Sequence, residues 1–457
     1  MPPPVVPANS PKVPSGTLGN EAWLRRSLAS VWHPCTQMKH HERLPLTPIA
    51  RAEGAWLFDF DGHRYLDAIS SWWVNLFGHG HPHIKASIQA QLDRLEHVML
   101  AGFTHAPVVE LSERLASLTP GNLGHCFYAS DGASATEVAL KMSFHYWRNR
   151  GRQQKTRFIS LEGGYHGETI GALSVTDVAL FRDTYAPLLR APDTVPSPDW
   201  CLAPTGASPI DHAIACAEAL EQRLQQQHDE TAALIVEPLV QCAAGMGMYD
   251  PEYLRRARAL CDRYGVHLIA DEIAVGFGRT GTMFACEQAG IAPDFLCLSK
   301  GITGGYLPLS AVLTTGEIYE AFYDDDVARG FLHSHSYTGN PLACSAALAT
   351  LDLFEQGSTI TANRVKGETL TTLSAPLAGH PRVARFRQTG MIWAFDVETD
   401  DPLFPRRFFA EALKRELLLR PIGNTIYFMP PYVIDDAQMT LLAERTLEAL
   451  DAAVAPP

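Results

Sequence analysis

A chain of 457 residues, 46% hydrophobic and 19% charged, carries enough apolar material for two or three domains. Its formal net charge of -13 at pH 7 argues against nucleic acid or an anionic membrane as a partner, because both attach through basic patches. Nine cysteines, with no C-x-x-C pair and no zinc-like spacing, point to reduced thiols in the cytoplasm rather than to a disulfide framework.

The amino-terminal stretch "MPPPVVPANSPKVPSG" has no signal-like apolar centre, and residues 1–30 read as a proline-rich mobile arm. No apolar run reaches the roughly 18 residues that span a bilayer. Residues 51–69, "RAEGAWLFDFDGHRYLDAI", alternate as strands do around a turn at Asp61 and Gly62. They fall in a segment, 31–83, expected to pack with the carboxyl-terminal part. From 84 to 345 the texture changes. Helical stretches such as 133–149 alternate with short apolar runs at 157–161, 232–236, 266–270 and 295–299, which predicts a large α/β domain on a mainly parallel sheet. Residues 187–210, rich in Pro, Asp and Ser, read as an excursion over the surface. Residues 346–457 form a smaller α+β domain: a helix, strand-like segments at 391–397 and 425–429, and a final helix.

In open parallel sheets ligands gather beyond the carboxyl ends of the strands. Three successive apolar runs here end in ionisable groups: "AALIVEP" in Glu237, "GVHLIADEI" in Asp271 and Glu272, and "DFLCLSK" in Lys300. A lysine whose pKa is lowered by desolvation is a nucleophile that condenses with aldehydes. Pyridoxal phosphate is the cofactor aldehyde that also needs a carboxylate, to hold its pyridine nitrogen protonated. Asp271 and Lys300 supply that pair; the bland alternative is a structural ion pair.

The cofactor's phosphate needs a cradle. "CFYASDGASATEVALKMSFHYW" reads as strand, small-residue turn and amphipathic helix, and the first turn of a helix binds anions through free amides. Gly132, Ala133 and Ser134 are the candidates, although Asp131 or Ser134 also serves as an ordinary helix cap. Tyr165, in "GGYHGET", is a candidate to stack on a ring. Two motifs mislead. "GFGRTG", 276–281, matches a dinucleotide fingerprint, but the next acid, Asp294, precedes its strand instead of ending it. "HGHPH", with His79, His81 and His83, has no suitably spaced acid or cysteine for a metal and reads as a turn into a helix; His333 and His335 are read likewise, so no metal is expected.

The segments "IADEIAVGFGRTG", "CLSKGITGG", "EGGYHGET" and "HSYTGNPLAC" resemble the class III, or omega, pyridoxal-phosphate-dependent aminotransferases, over about residue 31 to the carboxyl end. The resemblance implies fold type I, with a seven-stranded sheet in the large domain, and a homodimer with shared sites. It implies that Lys300 bonds the cofactor, Asp271 pairs with the pyridinium, Glu237 adjoins it, Tyr165 stacks, Gly132 and Ala133 bind phosphate, and Ser336 reaches the phosphate of a second copy. "AISSWWVNLFGHGHP" and "RPIGNTIYFMPPY" are similar to a branch passing an amino group from S-adenosyl-L-methionine to 8-amino-7-oxononanoate. There Trp72 and Trp73 line the entry, Arg420 takes the substrate carboxylate, and Arg279 and Gly301 lie near the substrates. Two positions depart from that branch: Cys35 stands where a tyrosine is common, and Glu168 where an aspartate is. Lysine or another amine therefore stays open as donor. Other class III ω-aminotransferases, aminomutases and decarboxylases share Lys300 and Asp271 without needing the paired tryptophans; a dehydrogenase or a non-catalytic binding protein would lack the lysine-bound cofactor.

Overall fold

The computed structural model describes residues 18–455. Its larger part is built on a seven-stranded sheet of β1 (His125–Ala129), β2 (Arg157–Leu161), β3 (Asp193–Val195), β4 (Thr231–Val236), β5 (His267–Asp271), β6 (Phe295–Leu298) and β7 (Ser310–Thr314). Across the sheet the order is β1-β7-β6-β5-β4-β2-β3. Neighbours from β6 to β3 are parallel, and β7 runs antiparallel to both β6 and β1. The mainly parallel sheet of fold type I is therefore present.

Every residue of β4 and β5 is buried, because both faces are covered, so these runs show no polar alternation. Their side chains divide between two separate clusters. Ala233, Ile235, Ile269 and Phe295 pack with Ala135, Val138 and Ala139 of helix α1 (Gly132–Asn149). Leu234, Val236, Leu268 and Leu296 pack with Leu254, Ala257 and Leu260 of helix α2 (Glu252–Tyr264). Asp131 starts α1 by accepting the Ser134 amide at 2.9 Å, an N-cap that quenches one orphan donor of the first turn. Gly265, at φ 61°, ends α2 in the left-handed conformation that glycine adopts without strain.

Two strands of this sheet were not legible in the sequence. β3 lies inside the proline-rich segment 187–210, and its Asp193 is tied to Arg223 and Gln227. β7 is a buried antiparallel strand. Elsewhere, Ile49–Glu53, Trp56–Asp59 and Arg64–Asp67 share a sheet with Leu417–Leu418, and Leu417 pairs with Leu66. Val383–Thr389, Ile392–Val397 and Thr425–Phe428 make a three-stranded sheet. Residues 1–17 of the expected arm lie outside the described residues. Its remainder is ordered differently: Asn20–Ser30 is a helix, held where Asn20 Nδ2 donates to Asp59 Oδ2 at 2.9 Å and Trp23 stacks on Phe60 at 5.2 Å. Among the described residues no helix is long and apolar enough to cross a membrane.

One buried histidine ties this fold to pH. His267 sits at the start of β5, hydrogen-bonded to Ser143 Oγ at 2.8 Å and enclosed by Trp147, Tyr146 and Phe295. Burial pushes its pKa down to about 4. The unfolded chain thus binds this proton more readily, so the stability gained from a neutral His267 is complete above pH 6.5 and is lost as pH falls toward 4. Between pH 7.5 and 5 the loss is about 2 kcal/mol. Urea melts at those two pH values should show His267→Gln losing less stability than the parent by about that amount; equal losses would remove His267 as the cause.

Candidate active site

The glycine-rich turn after β6 explains why Lys300 can sit where it does. Lys300 opens a short 3-10 turn, Lys300–Thr303, with its own φ at 42°. A Cβ on Gly305 would stand 2.9 Å from the Asn75 backbone, and one on Gly301 3.0 Å from Leu76. Only glycine lets the turn press this closely against residues 74–76. Gly301 is thereby buried against Leu76, beneath the site.

Lys300 projects into a cavity of about 600 Å³ whose lining includes Trp73, Gly132, Ala133, Tyr165, Glu237 and Asp271. Six of the sequence-predicted residues thus converge with Lys300, because the ends of β4, β5 and β6 and the start of α1 all open on one side of the sheet. Burial lowers the pKa of the Lys300 ammonium, against the opposing pull of Asp271, Cys242 and Glu237. The amine is thereby poised toward its neutral, nucleophilic form. Its nitrogen lies 5.2 Å from the centre of the Trp73 ring.

Asp271 is 4% exposed. Its Oδ1 accepts the Ile273 amide at 3.1 Å and its Oδ2 pairs with His166 Nδ1 at 2.7 Å. His166 was missed in the sequence. It follows Tyr165 directly, lines the same cavity and leaves Nε2 buried without a hydrogen-bond partner. Burial, reinforced by the Asp271 charge, holds the Glu237 carboxyl well above the usual carboxylate range, because a second negative charge beside Asp271 is disfavoured in this setting. Glu272 points elsewhere: it accepts the Ala285 and Cys286 amides at 2.7 and 2.8 Å, and burial lifts its pKa to about 7. The Tyr165 hydroxyl, its pKa raised by burial and by Glu168, donates to Glu168 Oε1 at 2.9 Å.

At the start of α1 the cap and the cradle divide. Ser134 gives both its amide and its hydroxyl to Asp131, each at 2.9 Å, and does not line the cavity. Gly132 and Ala133, whose amides lie in the first turn where no intrahelical acceptor exists, line the cavity with Ser130 and Asp131. A free pair of helix amides, a lowered lysine and a buried aspartate around a cavity of this size fit pyridoxal phosphate: Gly132 and Ala133 for its phosphate, Asp271 for its ring nitrogen, Lys300 for its aldehyde.

A second cavity, about 540 Å³, lies beyond the tryptophan pair. Its walls are largely apolar, including Leu44, Leu46, Ile49 and Phe409, and Trp72, Tyr427 and Arg420 border it. The Arg420 guanidinium stands 4.9 Å over the Trp72 ring and donates to the Cys35 carbonyl at 3.1 Å. The partition between the cavities is unusual in its backbone. Ser70, Ser71, Trp72 and Trp73 all have positive φ, at 52°, 46°, 74° and 72°, a left-handed turn that costs side-chain-bearing residues about 1–2 kcal/mol each. Trp73 is buried and donates from Nε1 to the Tyr427 hydroxyl at 3.1 Å; Trp72 is 43% exposed.

Besides Ser134, three expected residues are not brought to these cavities. Arg279 is 1% exposed, and its guanidinium bridges two backbone carbonyls, Pro430 O at 2.7 Å and Asn75 O at 3.1 Å. It braces the segment after the tryptophans instead of lining either cavity. Gly301 sits beneath the cofactor cavity, as described. Ser336 is exposed in the loop before helix α3 (Pro341–Gln356) and lines neither cavity. "GFGRTG" forms consecutive turns with no helix at its start, and His79 and His83 pair with Asp67 and Asp352, each at 2.9 Å.

The class III aminotransferase family model matches residues 37–450. The chain belongs to the class III aminotransferases, the pyridoxal-phosphate-dependent family that its motifs resemble. Among its relatives, the adenosylmethionine-8-amino-7-oxononanoate aminotransferase of Helicobacter pylori is 48% identical over 93% of this chain and 96% of its own. The enzyme of the same name from Nitratidesulfovibrio vulgaris is 43% identical over 92% and 80%. In structure, the chain is similar to that aminotransferase from Methanocaldococcus jannaschii, with a TM-score of 0.89 at 35% identity, covering 95% of this chain and all of the other. A Thermomicrobium roseum (S)-enantioselective omega-transaminase gives 0.91 at 30% identity, covering 96% and 100%.

Proposed function

We propose that the chain transfers an amino group from S-adenosyl-L-methionine to 8-amino-7-oxononanoate, giving 7,8-diaminononanoate for biotin synthesis. The observation that carries this reading is the largely apolar cavity bordered by Arg420 and Trp72, next to the cavity of Lys300 that Trp73 lines. 8-Amino-7-oxononanoate is a long apolar chain with a carboxylate at one end and an amino ketone at the other. Laid along these cavities, its carboxylate meets the guanidinium and its ketone the lysine. The names of the relatives point to the same acceptor and donor.

Bound pyridoxal phosphate supplies an electron sink that stabilises negative charge at the substrate carbon. The residues do the rest. Lys300, once displaced by the donor amine, takes the proton from the donor's α-carbon and returns one on the acceptor side. Asp271, fixed by His166, holds the ring nitrogen protonated. Tyr165 covers the ring, and Gly132 and Ala133 anchor the phosphate. Glu168 lines the cavity and has no ion pair among the described residues, which suits a donor bearing ammonium and sulfonium charges. The chain works as a cytoplasmic homodimer in which Ser336 reaches the phosphate of a second copy.

Arg420→Ala should raise KM for 8-amino-7-oxononanoate about 10- to 100-fold with little change in kcat, since a charge-assisted hydrogen bond contributes roughly 1.5–3 kcal/mol. An unchanged KM would refute the carboxylate assignment. A donor screen against that acceptor tests the rest. Transfer from S-adenosyl-L-methionine is expected; transfer only from lysine or another amine would keep the acceptor and replace the donor, an outcome for which Cys35 is the motivating departure.

A further inference from the structure

The left-handed turn at 70–73 is held from one side by a buried carboxylate to which the reaction above gives no task. Asp67, 0% exposed, closes the strand Arg64–Asp67. Its Oδ1 accepts the Ser71 amide at 2.7 Å, and its Oδ2 accepts the Ser71 hydroxyl at 2.6 Å. The same Oδ2 pairs with His79 Nε2 at 2.9 Å. His79 is itself fixed, exchanging backbone hydrogen bonds with Gly54 at 3.0 and 2.7 Å. One buried group therefore gathers a strand end, the turn and the segment beyond it.

The two tryptophans depend on this clamp unequally. Trp73 has a second tether, the Tyr427 hydroxyl, and is buried. Trp72 follows Ser71 directly, is half exposed, lies under the Arg420 guanidinium, and its ring has no side-chain hydrogen bond among the described residues. Losing the clamp is therefore felt first at Trp72, on the side of the cavity that Arg420 borders.

We propose that Asp67 is a positioning residue for the keto acceptor, holding the left-handed turn so that Trp72 stays against Arg420. The proposal rests on the acceptor reading of that cavity given above.

Asp67→Asn in the holoenzyme keeps the size of the side chain but turns an amide N–H₂ toward groups that themselves donate. Ser71→Ala removes the hydroxyl bond alone and serves if Asp67→Asn fails to fold. For Asp67→Asn, kcat/KM toward 8-amino-7-oxononanoate is expected to fall about tenfold or more, mainly through KM. The single-turnover half-reaction with the amino donor should stay within about twofold. Ser71→Ala should shift the same way by about threefold. The pair Asp67→Asn/Trp72→Phe should be no slower than Trp72→Phe alone, because both changes act through one element. Near-ultraviolet circular dichroism should show Asp67→Asn losing the band that Trp72→Phe removes. Unchanged acceptor kinetics with a lower Tm, equal damage to both half-reactions, or additive losses in the pair would each overturn the proposal. The dichroism needs no substrate. If the parent enzyme fails to aminate this acceptor, the functional reading falls, while a retained Trp72 band in Asp67→Asn would separately overturn the clamp.

Discussion

Lys300→Ala is expected to abolish transamination, with a fall of at least about four orders of magnitude in kcat, and to remove the visible absorption of the holoenzyme. Two roles vanish together: the amine that bonds the cofactor aldehyde and the base that carries the α-proton, which alone contributes on the order of 10²–10⁴. The fold should survive. Lys300 lies in a turn outside the sheet ladder, and removing its amine breaks no strand pairing. Far-ultraviolet circular dichroism should therefore match the parent. Retained colour and activity in this variant would sink the entire reading of the site. Partial restoration by added methylamine would separate the lost proton carrier from a distorted cavity.

Asp271→Asn should come next, with kcat lowered on the order of a hundredfold to a thousandfold, the range seen when one preorganised electrostatic contact to developing charge is removed. The asparagine keeps the shape and the hydrogen bond from the Ile273 amide but cannot hold a ring nitrogen protonated. Because the carboxylate is also paired with His166, part of the loss arises from a histidine left without its fixed partner. The measurement that isolates the electrostatic part is the isolated donor half-reaction at several pH values. A half-reaction rate within a few-fold of the parent's at every pH would remove Asp271 from the chemistry.

The parts of this site that were legible in the sequence share one cause. A parallel strand buried on both faces is an unbroken apolar run, so an ionisable residue at its end stands out, as Glu237, Asp271 and Lys300 do. The small-residue turn before α1 was legible for a similar reason, since glycine and alanine leave room for backbone to approach a ligand. Assigning Ser134 to the cradle or to the cap was not possible from residue type, because serine serves in both; the bonds to Asp131 decide for the cap. His166 carried no periodic or spacing signal, and only its adjacency to Tyr165 marked it. Strand β3 is three residues long among prolines, too short for alternation to appear. The left-handed turn at the tryptophans had no glycine or asparagine to announce it, because tertiary bonds and not local preference impose it. For Arg279 only the resemblance implied a cation near the substrates, whereas the backbone carbonyls of Asn75 and Pro430 take up its donors.

The bond from Arg420 to the Cys35 carbonyl joins residues 385 positions apart, while the walls named for the cofactor cavity fall between Trp73 and Leu309. The chamber for the long acid is therefore closed only when the carboxyl-terminal segment packs back against residues near the amino terminus, so a chain cut after the last wall of the cofactor cavity would leave it open.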